Sequence, residues 1–308
     1  MVRRAISALL VVLAAVLTPI ALTSVWTRDV VTDTDSYVSA TAPLAEQPAV
    51  QRAIEDRVAR AVVQQLAIGR RTQVFAQAIG SAGLQQFLEE QGATTATAVR
   101  AFVRDAVRSA VASVVESDAF PPLWKAANRA MHRQLVEVLS SDVGSRTVTL
   151  DLRSIAAEVF SALDDQGLPV PSADALPRQA TFQLANSSDL DRARVAYRGV
   201  DAAGLALPVL ALLAIAGALL LSTSRRRTAL VLGVLAALAL AAEAVLVLAA
   251  RTVVTDSPDS RNGKAVIRAG WDAVTAGLWH LLIAGFVVAL LVAAISALAP
   301  RLRRGPSA

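Results

Sequence analysis

Four stretches of this chain are long enough, and empty enough of charge, to cross a lipid bilayer, and the rest of the molecule must be arranged around them. The hydrocarbon core is about 30 Å thick and takes roughly 20 apolar residues as a helix. Residues 5–26 and 202–222 contain no charged side chain. Residues 228–250 contain one, Glu243, and residues 277–299 contain none while His280 is neutral. Helix is the expected form, because each span must satisfy its own backbone hydrogen bonds in lipid.

The basic residues set the expected threading. Arg3 and Arg4 precede the first span, Arg225, Arg226 and Arg227 fill the turn between spans two and three, and Arg301, Arg303 and Arg304 follow span four. Short cytoplasmic segments collect Lys and Arg. The expected topology is therefore a multi-pass protein of the plasma membrane with both termini cytoplasmic. Residues 1–4 form the cytoplasmic N-terminus, 223–227 a cytoplasmic turn and 300–308 a cytoplasmic tail. Residues 27–201 form an extracytoplasmic domain, and 251–276 an extracytoplasmic loop.

This partition explains the charge. The net charge is +5 and the pI about 10.5, values that would suggest nucleic acid in a soluble chain. The inside segments hold eight Arg and no acid, whereas 27–201 holds 18 basic and 21 acidic residues. The large exposed unit is slightly acidic, so nucleic acid is excluded as a partner and the lipid bilayer takes its place. There is no Cys, hence no disulfide framework and no thiolate metal site. Two Lys against 28 Arg, with abundant Ala, suggests a GC-rich bacterial genome. The first span also resembles a signal peptide, but its apolar run is long and no small-x-small site follows it directly. We expect an uncleaved anchor.

Within 27–201 the periodicity predicts a mainly helical fold. Pro48 starts a helix with Val50, Ile54, Val58, Val62 and Leu66 on one face. Short helices are expected over 73–79 and 84–91. A helix after Thr94 or Thr95 would turn Val99, Phe102, Val107 and Val114 inward, with Arg100, Arg104 and Arg108 on its solvated face. Asp118 is expected to cap a helix whose first turn holds Pro121 and Pro122 and which carries Leu123, Trp124, Ala127, Met131, Leu135 and Leu139 inward. Residues 147–152 and 180–184 alternate with period two and suggest a small two-stranded sheet, parallel or antiparallel. Asn186-Ser187-Ser188-Asp189 opens a helix that continues into span two, with Gly199, Gly204 and Pro208 as its weak points. The fold class is thus mainly α: four transmembrane helices and a mostly helical domain between the first two.

Val30-Val31-Thr32-Asp33 recurs as Val253-Val254-Thr255-Asp256, each just past an outward-going span. The repeat hints at two in–out–in hairpins, although four residues in an Ala- and Val-rich chain do not establish duplication. The run VVTDTDSYVSATAPLAEQPAVQRAIEDRV (30–58), the VTLDL run, and NSSDLDRARVAYRGVDAAGLALP (186–208) resemble a group of uncharacterised integral membrane proteins of actinobacteria. That resemblance implies the same architecture and assigns no activity and no site residue.

Chemistry-bearing residues are few. Glu243 stands out, because a carboxyl group inside a span is costly unless paired, and such a residue is by default a functional candidate. It lies near the outer end of span three, and His280 lies near the outer end of span four, so antiparallel neighbours could bring them together as an intramembrane polar pair. A proton or cation step is one reading of that pair, and helix packing the other. Asp33, Asp35, Asp256 and Asp259 offer oxygen ligands just outside the membrane, but helix caps and turns account for them without a metal. His132 has no Ser, acid or metal-ligand spacing around it. Trp26, Trp271 and Trp279 fit an interfacial aromatic belt, and Gly217, Gly233 and Gly285 fit helix-packing positions. There is no phosphate-binding glycine loop and no HExxH. We therefore expect no catalytic residue, no cofactor and no metal. The expected function is a non-enzymatic cell-envelope protein that binds a protein, lipid or wall partner through 27–201. A small transporter or channel component centred on Glu243 is the alternative.

Overall fold

The computed structural model describes residues 2–67, 108–109, 112–141, 149–151, 181–183, 187–256 and 261–298. The described chain is almost wholly helical. In order come α1 (Val2–Thr32), α2 (Thr34–Thr41), a 3-10 turn (Ala42–Glu46), α3 (Pro48–Ala67), α4 (Phe120–Ser140), α5 (Ser187–Leu221), α6 (Arg225–Asp256) and α7 (Arg261–Leu298). Helices α1, α5, α6 and α7 are each long and apolar enough to cross a membrane. On that ground the chain is an integral, multi-pass membrane protein.

The four long helices form two antiparallel pairs. α1 packs most extensively on α5, and α6 on α7, while α1 also lies against α6. Small residues make the close contacts: Ala14, Ala214 and Ala218 are buried with Val11 and Leu232 at one junction, and Ala236, Ala237 and Ala289 at another. In lipid this closeness replaces the hydrophobic drive that water would supply. At Gly233 the backbones nearly touch, since a Cβ there would lie 2.7 Å from the Ala289 carbonyl oxygen. Most of the remaining bundle surface is exposed Leu, Val and Ile, including Leu9, Leu212, Leu246 and Ile295, as a lipid-facing surface requires.

The start of α1, the α5–α6 turn and the end of α7 gather at one end of the bundle. Ser7 donates to the Ala218 carbonyl at 3.0 Å, and Arg226 caps the end of α7 by donating to the carbonyls of Ser296 and Ala297. At the other end the helices outrun the uncharged spans. α1 continues to Thr32 and α5 begins at Ser187. Residues 251–276, expected as a connecting loop, are helical on both sides of 257–260. No Gly or Pro interrupts 251–256, and Arg251 joins the two helices through both oxygens of Asp272, at 2.7 Å each.

The shorter helices sit on that far end. Asp33 caps α2, accepting from the Ser36 N–H at 2.7 Å. α2 packs on α4, and α7 reaches α2 and α3. A small core joins Ala45, Val115 and Phe120, with Ile54 and Trp124 against it. Two expected faces are corrected here. Val115, not Val114, is buried, and Val114 is 43% exposed. In α4, Met131 and Leu135 are exposed, while Asn128 and His132 are buried. Leu123 is buried as expected, but further along the helix the buried positions are Asn128, Ala130 and His132 rather than Met131 and Leu135. The cause is polar: α2 offers Thr34 and Tyr37, and those partners draw Asn128 and His132 inward.

Thr149–Asp151 (β1) and Thr181–Gln183 (β2) pair antiparallel, with Leu150 opposite Phe182. Three residues a side is too short to form a layer of the fold, so the small sheet is not an architectural element. The expected helices over 73–79, 84–91 and 94–107 lie outside the described residues, as does the segment between the strands.

Candidate functional site

Glu243 faces the interior of the bundle. It shares a stripe of α6 with Leu240 and Val247, three residues before and four after, which face one side of a helix. Leu240 is buried with Leu278 and Leu282 of α7, and Leu22, Trp26, Val247 and Phe286 pack around them. One carboxyl oxygen, Oε1, accepts a hydrogen bond from the Thr23 hydroxyl of α1. The other, Oε2, is buried and has no hydrogen-bond partner. One turn above Thr23, the indole N–H of Trp26 is also buried without a partner. The junction of α1, α6 and α7 therefore holds an unused acceptor and an unused donor among leucines. Each such group costs free energy in a dry site.

His280 does not join this arrangement. It is exposed, on the side of α7 opposite Leu278 and Leu282, because two residues along a helix turn a side chain by about 200°. Among the described residues no hydrogen bond or ion pair links it to Glu243. The partner of Glu243 is instead Thr23, 220 residues earlier. A hydroxyl in an apolar span carries no charge to attract notice, so sequence reasoning passed over it.

A second polar cluster lies where α4 meets the start of α2. His132 is 4% exposed. Its ring stacks on Tyr37, with centroids 4.2 Å apart and planes inclined by 18°. Nδ1 lies 3.1 Å from the Thr34 hydroxyl. The Tyr37 hydroxyl donates to Asn128 Oδ1 at 3.4 Å, and Trp124 Nε1 donates to the Thr41 carbonyl at 2.9 Å. Arg129 pairs with Asp35 at 3.1 Å on the exposed rim. Burial holds the His132 pKa below its ordinary value, against the opposing pull of the Val30 and Val31 carbonyls and the Asp33 charge. Hydrogen bonds from Ser36 hold the Asp33 carboxyl below the usual range, and burial pushes the Tyr37 phenol up. This cluster seats α4 on the end of α1. Asp33 and Asp35 are engaged as a cap and an ion pair, and among the described residues no three His, Asp or Glu side chains gather as a metal set. Asp259 lies outside the described residues.

The far end also carries two matching clamps. Arg28 of α1 donates to Asp201 of α5 at 2.8 Å, and Arg251 of α6 binds Asp272 of α7. Each Arg stands two residues before the repeated Val-Val-Thr-Asp, so the repeat is Arg-x-Val-Val-Thr-Asp at 28–33 and 251–256. Each Asp stands in Gly-x-Asp-Ala, at 199–202 and 270–273. The sequence held this signal, but the shorter repeat did not reveal the salt bridges it encodes. Trp271, next to the second clamp, is half-buried with its indole N–H unbonded. Compared with models of known families, with curated proteins and with solved structures, the chain matches none.

Proposed function

We propose that this is a non-enzymatic membrane protein of the cell envelope that holds a partner on the helices between its first two spans. In this reading both termini are cytoplasmic, the membrane is the plasma membrane, and residues 27–201 are extracytoplasmic. The gathering of Arg3, Arg4 and Arg225–Arg227 at one end of the bundle supports that orientation.

The observation that carries the binding reading is the exposed apolar pair Met131 and Leu135 on α4. This helix buries Asn128 and His132 and turns Met131 and Leu135 outward, 42% and 44% exposed one turn apart. Buried polar groups and exposed large apolar groups are the informative exceptions to ordinary burial. A photo-crosslinking residue placed at 131 or 135 in native membranes should give one discrete adduct, and the same residue at exposed Lys125 should not. Equal yields from the three positions, or none from any, would overturn the reading. Leu135→Asp should then leave stability within about 0.5 kcal/mol of wild type while abolishing the adduct formed from position 131.

The second reading, a transporter or channel component, rests on the unpartnered Oε2 of Glu243. Vesicles reconstituted with wild-type protein would then leak protons or a cation, and Glu243→Gln vesicles would not. Identical vesicles with no leak in either case exclude it.

A further inference from the structure

At the arginine-rich end a cleft of about 590 Å³ opens between α1 and α6, beside the α5–α6 turn. Its mouth is polar. Arg4 and Arg227 line it, together with Ser224 and Thr228. Its deeper wall is apolar, formed by Val11 and Val12 of α1 and Val231 and Leu235 of α6. α1 and α6 run parallel here, and the eight residues from Arg4 to Val12 span about 12 Å along the helix axis. The cleft therefore changes from cationic to oily along the direction in which a bilayer changes from headgroup to chain.

Its charge is not balanced by the protein. No Asp or Glu occurs at positions 1–28 or 202–242. Arg226 is engaged with the end of α7, whereas Arg4 and Arg227 have no ion-pair or hydrogen-bond partner among the described residues. Ser7 and Ser222 are also engaged, the first with the Ala218 carbonyl and the second with Thr228. The two guanidinium groups are thus the free polar arms of a cleft with an apolar floor.

We propose that this cleft binds one anionic phospholipid, its phosphate between Arg4 and Arg227 and an acyl chain along Val11, Val12, Val231 and Leu235. Arginine suits a phosphate because its planar fork donates two parallel hydrogen bonds. Basic pockets between membrane helices bind anionic headgroups on the same logic. The proposal rests on the chain spanning a membrane. It is independent of any partner on α4 and of which side the arginines face.

The test uses full-length protein purified in a neutral detergent, with bound lipid counted by native mass spectrometry after titration with phosphatidylglycerol or phosphatidylcholine. Wild type should hold one phosphatidylglycerol in clear preference to phosphatidylcholine, and millimolar inorganic phosphate should not displace it. Arg4→Gln with Arg227→Gln should weaken retention roughly thirtyfold. Arg3→Gln with Arg225→Gln removes the same charge outside the cleft and should leave retention near wild type. Equal retention of the two lipids by wild type would overturn the proposal, whatever the variants do. So would equal losses in the two double variants, which would mean diffuse surface charge. Displacement by inorganic phosphate would mean an anion site without a chain. Ala8→Trp, which fills the cleft without touching its charge, should also lose the lipid, and full retention there would place the lipid elsewhere.

Discussion

The two helical hairpins, α1 with α5 and α6 with α7, carry the same clamp and put it to different use. The first helix of each pair runs into Arg-x-Val-Val-Thr-Asp at its far end, the second carries Gly-x-Asp-Ala, and in each pair the Arg reaches the Asp of the second helix. The second hairpin closes over only 257–260. Its Arg251 holds both oxygens of Asp272, and its final Asp256 lies 3.6 Å from Lys264 on the returning helix. In the first hairpin the corresponding Asp33 caps α2 and begins an excursion of about 150 residues. Yet the Arg28–Asp201 clamp below that excursion is intact. Helices α2 to α4 thus sit at the tip of a hairpin that carries its own clamp beneath them.

The hairpins differ most sharply in how their glycines are used, and this gives the largest expected effect. In hairpin two, a side chain at Gly233 would press on α7 backbone, at Ala289 and Ala293. Backbone in a packed helix pair cannot step aside, so Gly233→Val should cost about 3 kcal/mol as overpacking. Its thermal midpoint in detergent should fall well below that of any other variant described here. A near-native midpoint would show that α6 and α7 are less close than Gly233 requires.

The excursion should respond to acid where hairpin two does not. His132 is buried with a lowered pKa, so between that value and about 6.5 the unfolded chain binds more protons than the folded one. Its contribution is whole above about pH 6.5 and is lost as the pH falls below that. Amide exchange in α2 and α4 should accelerate between about pH 7 and pH 5 after correction for intrinsic rates, with α6 and α7 unchanged. His132→Gln should flatten the response. Uniform acceleration across all helices would refute a local seat.

Smaller effects separate the two clamps. Both are partly exposed, with side-chain accessibilities of 33% and 44% for Arg28 and Asp201 and 33% and 48% for Arg251 and Asp272. Solvent screening keeps such pairs weak. Double-mutant cycles should rank the two-pronged Arg251–Asp272 pair above Arg28–Asp201. The reverse order would mean that the excursion tightens the clamp beneath it. Gly204→Ala tests the first clamp from its other side. A Cβ there would lie 2.5 Å from the Arg28 Cβ, which is fixed to the α1 backbone, so α1 and α5 would have to part. The midpoint should fall, by less than for Gly233→Val, and the Arg28–Asp201 coupling should disappear.

The bundle was legible in the sequence because a charge-free run of 20 residues has few other fates. Glu243 was legible for the complementary reason, as one carboxyl group in such a run. Its partner was not, since Thr23 lies on another helix and a threonine in a span draws no attention. The sequence places His280 by depth alone, and depth does not fix which side of a helix a residue faces. α4 defeated the apolar-stripe rule because Thr34 and Tyr37 provide polar partners that make burying Asn128 and His132 favourable. The clamps are half-legible: Val-Val-Thr-Asp is visible as a repeat, but an Arg–Asp pair across 173 residues appears only when the helices are set side by side.

Prolines divide the hairpins in the same way. α1 contains Pro19 and α5 contains Pro208, both between the Ser7–Ala218 bond and the Arg28–Asp201 pair. α6 and α7 contain none. A proline inside a helix lacks the N–H that would bind the carbonyl four residues back, so the Ala15 and Gly204 carbonyls lose that partner. Compliance is thereby concentrated in the hairpin that bears the excursion, while the other acts as a keel. A pull on α2 to α4 would bend α1 and α5 together at their prolines, and the Arg28–Asp201 strut beyond those joints would make them move as one.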